Sequence, residues 1–456
     1  MSGAEGTQTS PIHAFPLTQK LASFVVETAF GDIPATALEH GRQLILDTLG
    51  VSLLASRHRI GELIRSHASM LGGHRRTASV LGPGNLRVDT VWAAQANGTL
   101  ANALDYDSGG HLPTHILPAI LAIAEERRLS GADVLGAFVL AYEASARLTK
   151  VIDAKRAQQQ GPTYRGWWHV GLIAPVAACL AACRLLGANV SETRCAMGVA
   201  TASSAGFRRN MGTMTKALHS GNGARGGIEA AMLAMQGFTG DPEMIEGELG
   251  FASAIAFEDE RDPAPVMEKL GAPYVLEKPP GVKRYPAVTP SHGVISAAIE
   301  LARTKRFDPG EIISVEADYR TFSLTRQTAE NEEEAGFCAP FLIASALVHG
   351  EFGPSQIAGG AIDDQHVQAL SRKVKQIPKT EGEGNIVIVR LANAETISAR
   401  ARGSRAFEQD FIEAKFRACA LHAGMQETAV AEMVDIVGAL DQKEDLARLM
   451  RLARGA

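Results

Sequence analysis

Hydrophobic residues recur at helical spacing through most of the first 265 positions of the chain. Leu44, Ile45, Leu49, Leu53 and Leu54 show this spacing, and the apolar positions between 134 and 142 repeat it. Two further segments, 173–188 and 227–238, are rich in alanine and other small residues, which is typical of buried helices that approach one another closely. The pattern predicts an all-helical domain over residues 18–270, preceded by a polar arm at 1–17 that is disordered or packs on a neighbour.

The pattern changes near position 271, and four prolines crowd residues 279–290. Residues 313–320 and 385–400 alternate β-branched and polar positions with a period of two, which predicts strands. An apolar run at 336–348 predicts a helix between them. We therefore expect a smaller α+β domain over 271–405, followed at 406–456 by amphipathic helices that return to the first domain. The predicted fold class is mainly α, with a cleft between two domains as the expected ligand site.

Composition narrows the function classes. The chain has 456 residues, of which 46% are hydrophobic and 21% charged, and its net charge is −5. This mild negative charge argues against a nucleic-acid partner. The five cysteines lack the spacing of a zinc module, so we expect free thiols in a reducing compartment. The polar start predicts no signal peptide, and no uninterrupted apolar run suggests a membrane span. These features predict a cytoplasmic protein.

The first candidate site is NGTLANALDYDSGGHLPTH at 97–115, which places Asp105, Asp107, His111 and His115 within eleven residues. We expect the preceding helix to end near two glycines and to leave these groups on a loop. A carboxylate beside an imidazole fixes the tautomer of the histidine and raises its basicity, which favours acid–base chemistry. Two alternatives are metal binding, which the proline at 113 disfavours, and aspartates that cap the next helix.

Two aromatic or basic segments form the next candidates. TYRGWWHVG at 163–171 surrounds His169 with aromatic side chains, which indicates either a half-buried packing histidine or a base tuned by desolvation, and Tyr164 is a substrate-binding candidate there. The segment at 207–231 carries Arg209, Lys216 and His219 in a stretch rich in glycine and threonine that leads into a helix. Positive side chains at the start of a helix favour an anion site, and a carboxylate fits better than a phosphate because the Walker pattern is absent.

A fourth basic motif, KRYPAVTPSHG at 283–293, adds Lys283 and Arg284 beside a turn bounded by prolines. The sequence has neither the glycine pattern of a dinucleotide fold nor the serine elbow of a hydrolase. Histidine, aspartate, lysine and arginine groups without a nucleotide or metal motif predict proton transfer on an anionic substrate, with no cofactor.

Several of these segments resemble the MmgE/PrpD family. The similar stretches are NGTLANALDYD, GTMTKALHSGNGARGGIEAAMLAMQGFTG, KRYP, LILDTLGVSLLAS at 44–56 and, more weakly, GFCAPFLIASALVHGEF at 336–352. The family includes 2-methylcitrate dehydratases, cis-aconitate decarboxylases and an iminodisuccinate epimerase. The resemblance implies a large helical domain with a smaller α+β lid, usually in a homodimer.

The resemblance also implies site residues, which are Asp105, His115, His169, Lys216 and Lys283. Two positions depart from the relatives of cis-aconitate decarboxylase. Gly109 stands where those relatives carry threonine, and Val288 stands where they carry histidine. Each departure removes a polar group, which weakens a prediction of cis-aconitate decarboxylase activity.

Together these observations predict a cofactor-independent lyase that removes a proton alpha to a carboxylate of a small di- or tricarboxylate. A hydro-lyase similar to 2-methylcitrate dehydratase leads, followed by an epimerase and then a decarboxylase. The alternative from another class is an inactive helical scaffold that binds an anion. Lys216, with Lys283 or Arg284, is expected to neutralise the substrate, while His169 or His115 acts as the base and Asp105 orients a histidine. Arg209, His219 and Tyr164 are expected to bind substrate.

Overall fold

A computed structural model describes residues 11–153, 162–256, 262–305, 307–320, 324, 326–403 and 407–455. Its buried hydrophobic residues form two cores. The first runs from Ile12 to Val282 and is joined again by 412–453, whereas the second lies mainly between Ala287 and Ile397. The predicted fold class, a large helical domain with a smaller α+β domain, is confirmed.

The helical domain is built from helices whose apolar faces are buried on several sides. Ser130 and Asn189 cap two of them, each accepting a hydrogen bond from the backbone N–H three residues later. The helices are α1 (Leu17–Glu27), α2 (Ala35–Ala55), α3 (Arg59–Leu71), α4 (Thr90–Asn102), α5 (Pro113–Arg127), α6 (Gly131–Ile152), α7 (His169–Leu186), α8 (Val190–Thr201), α9 (Thr215–Met235), α10 (Phe251–Ala256) and α11 (Ala264–Met267). A two-stranded antiparallel hairpin, β1 (Ala78–Ser79) with β2 (Arg87–Val88), lies among them.

The glycine-rich part of the 207–231 motif lies inside helix α9, not at its start. A Cβ atom at Gly223 would stand 2.3 Å from the Cβ of Ala174 on α7, and one at Gly221 would stand 2.3 Å from the carbonyl oxygen of Gln95 on α4. These glycines therefore let three helices approach closely. The helix begins at Thr215, so the prediction that this glycine-rich stretch leads into the helix is wrong, whereas Lys216 does stand in its first turn.

The smaller domain contains a four-stranded sheet in the order β4-β3-β5-β6. Strand β3 pairs in parallel with β4 and antiparallel with β5, which pairs antiparallel with β6. The strands are β3 (Ile312–Ala317), β4 (Val374–Gln376), β5 (Asn385–Leu391) and β6 (Thr396–Ala401), and the helices are α12 (His292–Thr304), α13 (Glu332–Ala335), α14 (Ala339–His349) and α15 (Gln365–Ser371). Helix α12 packs on β5, β6 and α14.

The last part of the chain returns to the helical domain. Its helices are α16 (Gln409–His422), α17 (Glu427–Gly438) and α18 (Ala447–Ala453), and both α16 and α17 pack on α2. The change from the first core to the second falls between Val282 and Ala287, later than the predicted position 271, because Tyr274 and Leu276 still pack in the helical domain. Residues 1–10 of the predicted arm lie outside the described residues, and its described part packs in the helical domain through Ile12.

Within the described residues, one helix is long and apolar enough to cross a membrane. This helix is α7, and 78% of its most apolar window is buried inside the protein. Its position in the first core, beside α5, α6 and α9, accounts for this apolar character.

Candidate active site

The candidate site is organised by the connection between α4 and α5. Helix α4 ends at Asn102, earlier than the predicted end near the two glycines, and α5 begins at Pro113. Within the connection Asp105 and His111 have left-handed backbone conformations, with φ of 49° and 64°. Such angles are unfavourable for residues with a Cβ atom, so the surrounding structure must hold them.

The connection is held by a distant segment of the chain. Ser108 forms an antiparallel bridge with Val282, and the Gly109 N–H donates to the carbonyl oxygen of Gly281 at 3.0 Å. This pairing brings Lys283 beside the acidic groups of the connection, although the two segments are about 175 positions apart.

Asp105 lies between two lysine side chains. Lys283 Nζ donates to Asp105 Oδ2 at 2.6 Å and to the Asp105 carbonyl oxygen at 2.8 Å, and Lys216 Nζ donates to Asp105 Oδ1. All three side chains are buried. Burial alone would raise the pKa of Asp105, but the charges of Lys216 and Lys283 outweigh it and hold that pKa well below its usual range. Asp105 is therefore a permanent anion that keeps two cations in place.

Burial has the opposite consequence for Lys216. It lowers the pKa of the ammonium group, while Asp105 raises it and Lys283 lowers it further. The Lys216 Nζ also lies 5.7 Å from the ring centre of Trp168. A partly desolvated ammonium of this kind interacts strongly with an added carboxylate.

Asp107 and His111 form a buried dyad. His111 Nδ1 lies 2.9 Å from both carboxylate oxygens of Asp107, which places the ring proton on Nδ1. His111 Nε2 is left facing Asp105 Oδ1 at 3.8 Å, beyond hydrogen-bond distance. Burial lowers the pKa of His111 and outweighs the opposing charge of Asp107. The imidazole is thus neutral near pH 7, with a ring nitrogen able to accept a proton.

These groups form one wall of a cavity of about 680 Å³ between the two domains. Trp168, His169 and Met211 complete the helical wall, and Val288 lies beside them. The ring centres of His111 and His169 are 6.2 Å apart. From the smaller domain the cavity is lined by Asp318, Tyr319, Arg320, Lys379, Gly384 and Asn385. A volume of this size suits a small organic anion.

The wall contributed by the smaller domain is organised by Asp318, which follows strand β3. Its carboxylate accepts hydrogen bonds from the Thr380 hydroxyl at 2.7 Å and the Ile386 N–H at 2.7 Å, and Lys379 Nζ lies 3.4 Å away. Burial would raise the pKa of Asp318, but these hydrogen bonds and the charge of Lys379 lower it. The charged carboxylate therefore ties together the loop between β4 and β5.

Asp105, Asp107 and His111 also meet a distance criterion for metal ligation, since one ligand atom from each lies within 4.8 Å of the others. Both oxygens of Asp105 face ammonium groups, however, and both oxygens of Asp107 face His111 Nδ1. A divalent cation would have to displace two lysine cations from this position. The donor arrangement therefore fits proton transfer and anion binding better than metal ligation.

The structure brings only some of the predicted residues to the cavity. Asp105, Lys283 and His169 line it, whereas Lys216 is not in the described lining and is linked to it by its ion pair with Asp105. His115 lies in helix α5 behind the wall, with neither ring nitrogen hydrogen-bonded to a described residue, and burial lowers its pKa to about 3. The prediction that His115 faces the substrate is therefore corrected: the helix directs this ring into the core.

The predicted substrate-binding residues lie outside the described cavity lining, apart from Lys283. Arg284 places its guanidinium 4.9 Å from the ring centre of Phe411 on α16. Half-buried His219 contacts the Lys216 carbonyl oxygen through Nδ1 at 3.2 Å. Arg209 is exposed in a short 3₁₀ helix. The side chain of Tyr164 lies outside the described residues.

No role was predicted for the histidine that the structure holds in a dyad with Asp107. His111 was in the candidate motif, and its i,i+4 relation to Asp107 across two glycines was the available signal. Asp318, Arg320 and Lys379 were missed entirely. Their signal was weak, because Asp318 and Arg320 fell inside the predicted strand 313–320 and Lys379 merely precedes the next predicted strand.

Two domain models of one protein family match the chain. The MmgE/PrpD N-terminal domain matches residues 19–263, and the MmgE/PrpD C-terminal domain matches residues 285–438. The chain therefore belongs to the MmgE/PrpD family, as the sequence motifs predicted.

Curated relatives match over nearly the whole chain. The cis-aconitate decarboxylase of Homo sapiens is 27% identical over 468 residues, covering 96% of this chain and 95% of that protein. The cis-aconitate decarboxylase of Mus musculus is 24% identical, covering 96% and 93%. A cis-aconitate decarboxylase-like protein of Aspergillus oryzae is 25% identical, covering 96% and 97%.

Proposed function

We propose that this protein is a lyase that acts on a small di- or tricarboxylate by proton transfer at the carbon next to a carboxylate, using its own side chains. One observation carries the proposal. His111 is held by Asp107 through Nδ1, which leaves Nε2 unbonded, and its side chain lines a cavity together with Lys283 and Asp105. A neutral, oriented imidazole beside buried cations is the arrangement that alpha-proton removal requires.

In the proposed reaction the two lysines carry the substrate charge. A carboxylate of the substrate binds near Lys283 and Lys216, whose positive charge stabilises the enediolate that forms when the alpha proton leaves. Asp105 holds the two ammonium groups together and, through its negative charge, raises the pKa of Lys216. It is a poor base because its own pKa is so low. Asp105 therefore maintains the cations rather than accepting the proton.

His111 Nε2 accepts the alpha proton, and Asp107 stabilises the imidazolium that results. His169, on the same wall, is placed to donate a proton to the departing group. If a β-hydroxyl leaves as water, the C–O bond breaks and a carbon–carbon double bond forms. This dehydration, similar to that of 2-methylcitrate, remains the leading proposal for the substrate reaction.

Decarboxylation is the second candidate, and the names of the relatives favour it. In that reaction the bond to a carboxylate breaks, carbon dioxide leaves, and the electron pair is protonated at carbon by a histidine. Val288 supports dehydration over decarboxylation, because it lines the cavity where relatives of cis-aconitate decarboxylase are expected to carry an imidazole.

The test uses the purified protein with 2-methylcitrate, citrate, cis-aconitate and a chiral 2-substituted succinate in deuterated water. Proton NMR follows three outcomes, which are dehydration, release of carbon dioxide and exchange of the alpha proton with inversion. We expect the unsaturated product from a 2-hydroxy tricarboxylate, and His111→Gln serves as the control. Decarboxylation without dehydration would favour the second candidate, and inversion alone would indicate an epimerase. The absence of all three with every substrate would contradict the proposal.

A further inference from the structure

In the connection between α4 and α5, three consecutive backbone carbonyl groups accept hydrogen bonds from lysine residues, two from side chains and one from a backbone N–H. The Asp105 carbonyl oxygen accepts from Lys283 Nζ at 2.8 Å, and the Asp107 carbonyl oxygen accepts from the Lys283 N–H at 3.3 Å. Between them, the Tyr106 carbonyl oxygen accepts from Lys415 Nζ at 2.6 Å. Lys415 belongs to helix α16, so this contact joins the end of the chain to the candidate site.

Lys415 is itself part of a buried ion pair beneath the site. Its Nζ lies 2.7 Å from Asp47 Oδ1 on helix α2, and the two side chains are 3% and 0% exposed. The same Nζ lies 3.9 Å from the ring centre of Tyr106. A buried ammonium needs a counter-ion and hydrogen-bond acceptors, and these three contacts supply them. Neither residue of the pair lines the described cavity.

Tyr106, whose carbonyl oxygen accepts from Lys415, lies between two residues of the proposed active site. On one side of it lies Asp105, which holds the two substrate-facing lysines, and on the other lies Asp107, which orients His111. A buried carbonyl that loses its donor has no water to replace it, so the backbone must move to find another partner. Asp105 is anchored by buried ion pairs with Lys216 and Lys283, whereas the Asp107 carbonyl oxygen has one longer contact, at 3.3 Å, with the Lys283 N–H. The displacement is therefore expected to fall mainly on Asp107 and, through it, on His111.

We propose that Lys415 is a positioning residue, which through the Tyr106 carbonyl holds the Asp107–His111 dyad in its reactive geometry. The expected loss of turnover when Lys415 is replaced rests on the proposed function. The expected movement of the backbone rests on the structure alone. It assigns to helix α16, outside the cavity, a direct part in placing the proposed base.

The test replaces the whole ion pair, because Lys415→Met alone would leave Asp47 as an unpaired buried charge. The double variant Asp47→Asn with Lys415→Met removes both charges and the donor to Tyr106. Asp47→Asn alone removes the carboxylate charge but keeps the Lys415 donor to Tyr106, and the amide oxygen remains an acceptor for Nζ, so this variant is the matched reference. Phe416→Leu perturbs the same α2–α16 contact, where Phe416 packs against Gly50, and leaves Lys415 in place.

Two measurements are made on each variant. Amide hydrogen exchange of peptides covering 103–111 reports the backbone directly and needs no substrate. Calorimetry with tricarballylate, a non-reacting tricarboxylate, counts the sites that bind a substrate-like anion. Turnover of the best substrate is then expressed per binding site. A misplacement of about 1 Å is expected to lower kcat by about tenfold to 100-fold. The dissociation constant of tricarballylate should change by less than about threefold, because Lys216 and Lys283 keep their contacts with Asp105.

We expect faster exchange of 103–111 and a lower kcat in the double variant, with neither change in Asp47→Asn or in Phe416→Leu. If the double variant has the same amide exchange and the same kcat as the two references, the inference is overturned. Lys415 would then have a purely structural role. If the wild-type protein binds no tricarballylate and turns over no substrate, the proposed function fails. The exchange comparison then decides the inference by itself.

Discussion

On the helical side of the cleft the polar groups are buried and bound to one another, whereas on the side of the smaller domain several reach solvent. Asp105 and Lys283 are 3% and 1% exposed. The side chain of Lys379, on the opposite wall, is 54% exposed, although its partner Asp318 is buried. The same residue types, lysine and aspartate, therefore occur on both walls in very different environments.

This difference separates two tasks. Charges that are buried and already paired need little rearrangement when the reaction begins, which is the condition for stabilising a transition state. An exposed lysine is screened by water and contributes modestly to binding. We therefore infer that the helical wall performs the chemistry and that the other wall contributes mainly to substrate recognition. The following predictions test that division.

The largest expected effect is on the helical wall at His111. His111→Gln keeps much of the side-chain shape but removes the titrating nitrogen, and kcat/KM should fall by about 10²–10⁴-fold. Alpha-proton exchange in deuterated water, measured by NMR, should be lost with it. His169→Gln should retain exchange and lose the later protonation step. Normal exchange in His111→Gln would move the base elsewhere.

Lys216→Met should produce the next largest effect. It removes one ammonium from Asp105 and retains the apolar stem, so kcat/KM should fall by about 10²–10³-fold, the scale of one donor to a developing oxyanion. Circular dichroism should show an unchanged helix content, since Lys283 continues to pair with Asp105. A variant with nearly wild-type turnover would remove Lys216 from the mechanism and weaken the division between the walls.

His115, directly behind the helical wall, should affect the free energy of unfolding rather than turnover. Burial lowers its pKa to about 3, whereas an unfolded histidine titrates near pH 6.5. Between these pH values the unfolded chain binds a proton that the folded chain does not. The free energy of unfolding therefore falls as the pH decreases, by about 2 kcal/mol at pH 5 from this residue.

His115→Gln removes this titration. Urea denaturation at pH 7.5 and pH 5 should show a smaller difference for the variant than for the wild-type protein, while turnover at pH 7.5 stays within about threefold, as for a residue outside the site. An unchanged pH dependence of unfolding would show that the ring is accessible to protons in the folded state. A large loss of turnover would return His115 to the catalytic group.

The smallest effect is expected on the opposite wall. Lys379→Met should raise KM by about two- to fivefold and leave kcat nearly unchanged, because an exposed charge contributes little. Lys375→Met, in the exposed strand β4 and outside the described cavity lining, is the control. A loss of kcat comparable with that of Lys216→Met would mean that both walls take part in the chemistry.

Much of the architecture was predictable because its cause is local. The apolar spacing in α2 and α6 follows the helical repeat, and the alternation in β3, β5 and β6 follows the pleat of a strand. Strand β4 was not predicted, since three residues carry too short a pattern. The lysines and aspartates of the helical wall were recognisable from motifs, unlike those of the opposite wall, and family membership followed from the same segments.

The amino-acid sequence by itself determined the periodicity of the elements, the family and the chemical groups available to the site. Only the tertiary structure decided which of the clustered groups faces the cavity. That choice depends on left-handed backbone angles at Asp105 and His111, and on pairing of the connection with residues 281–283. It also depends on Lys216 and Lys415 arriving from distant helices. Such contacts form only when the whole domain packs, because residues far apart in the chain leave no local pattern that links them.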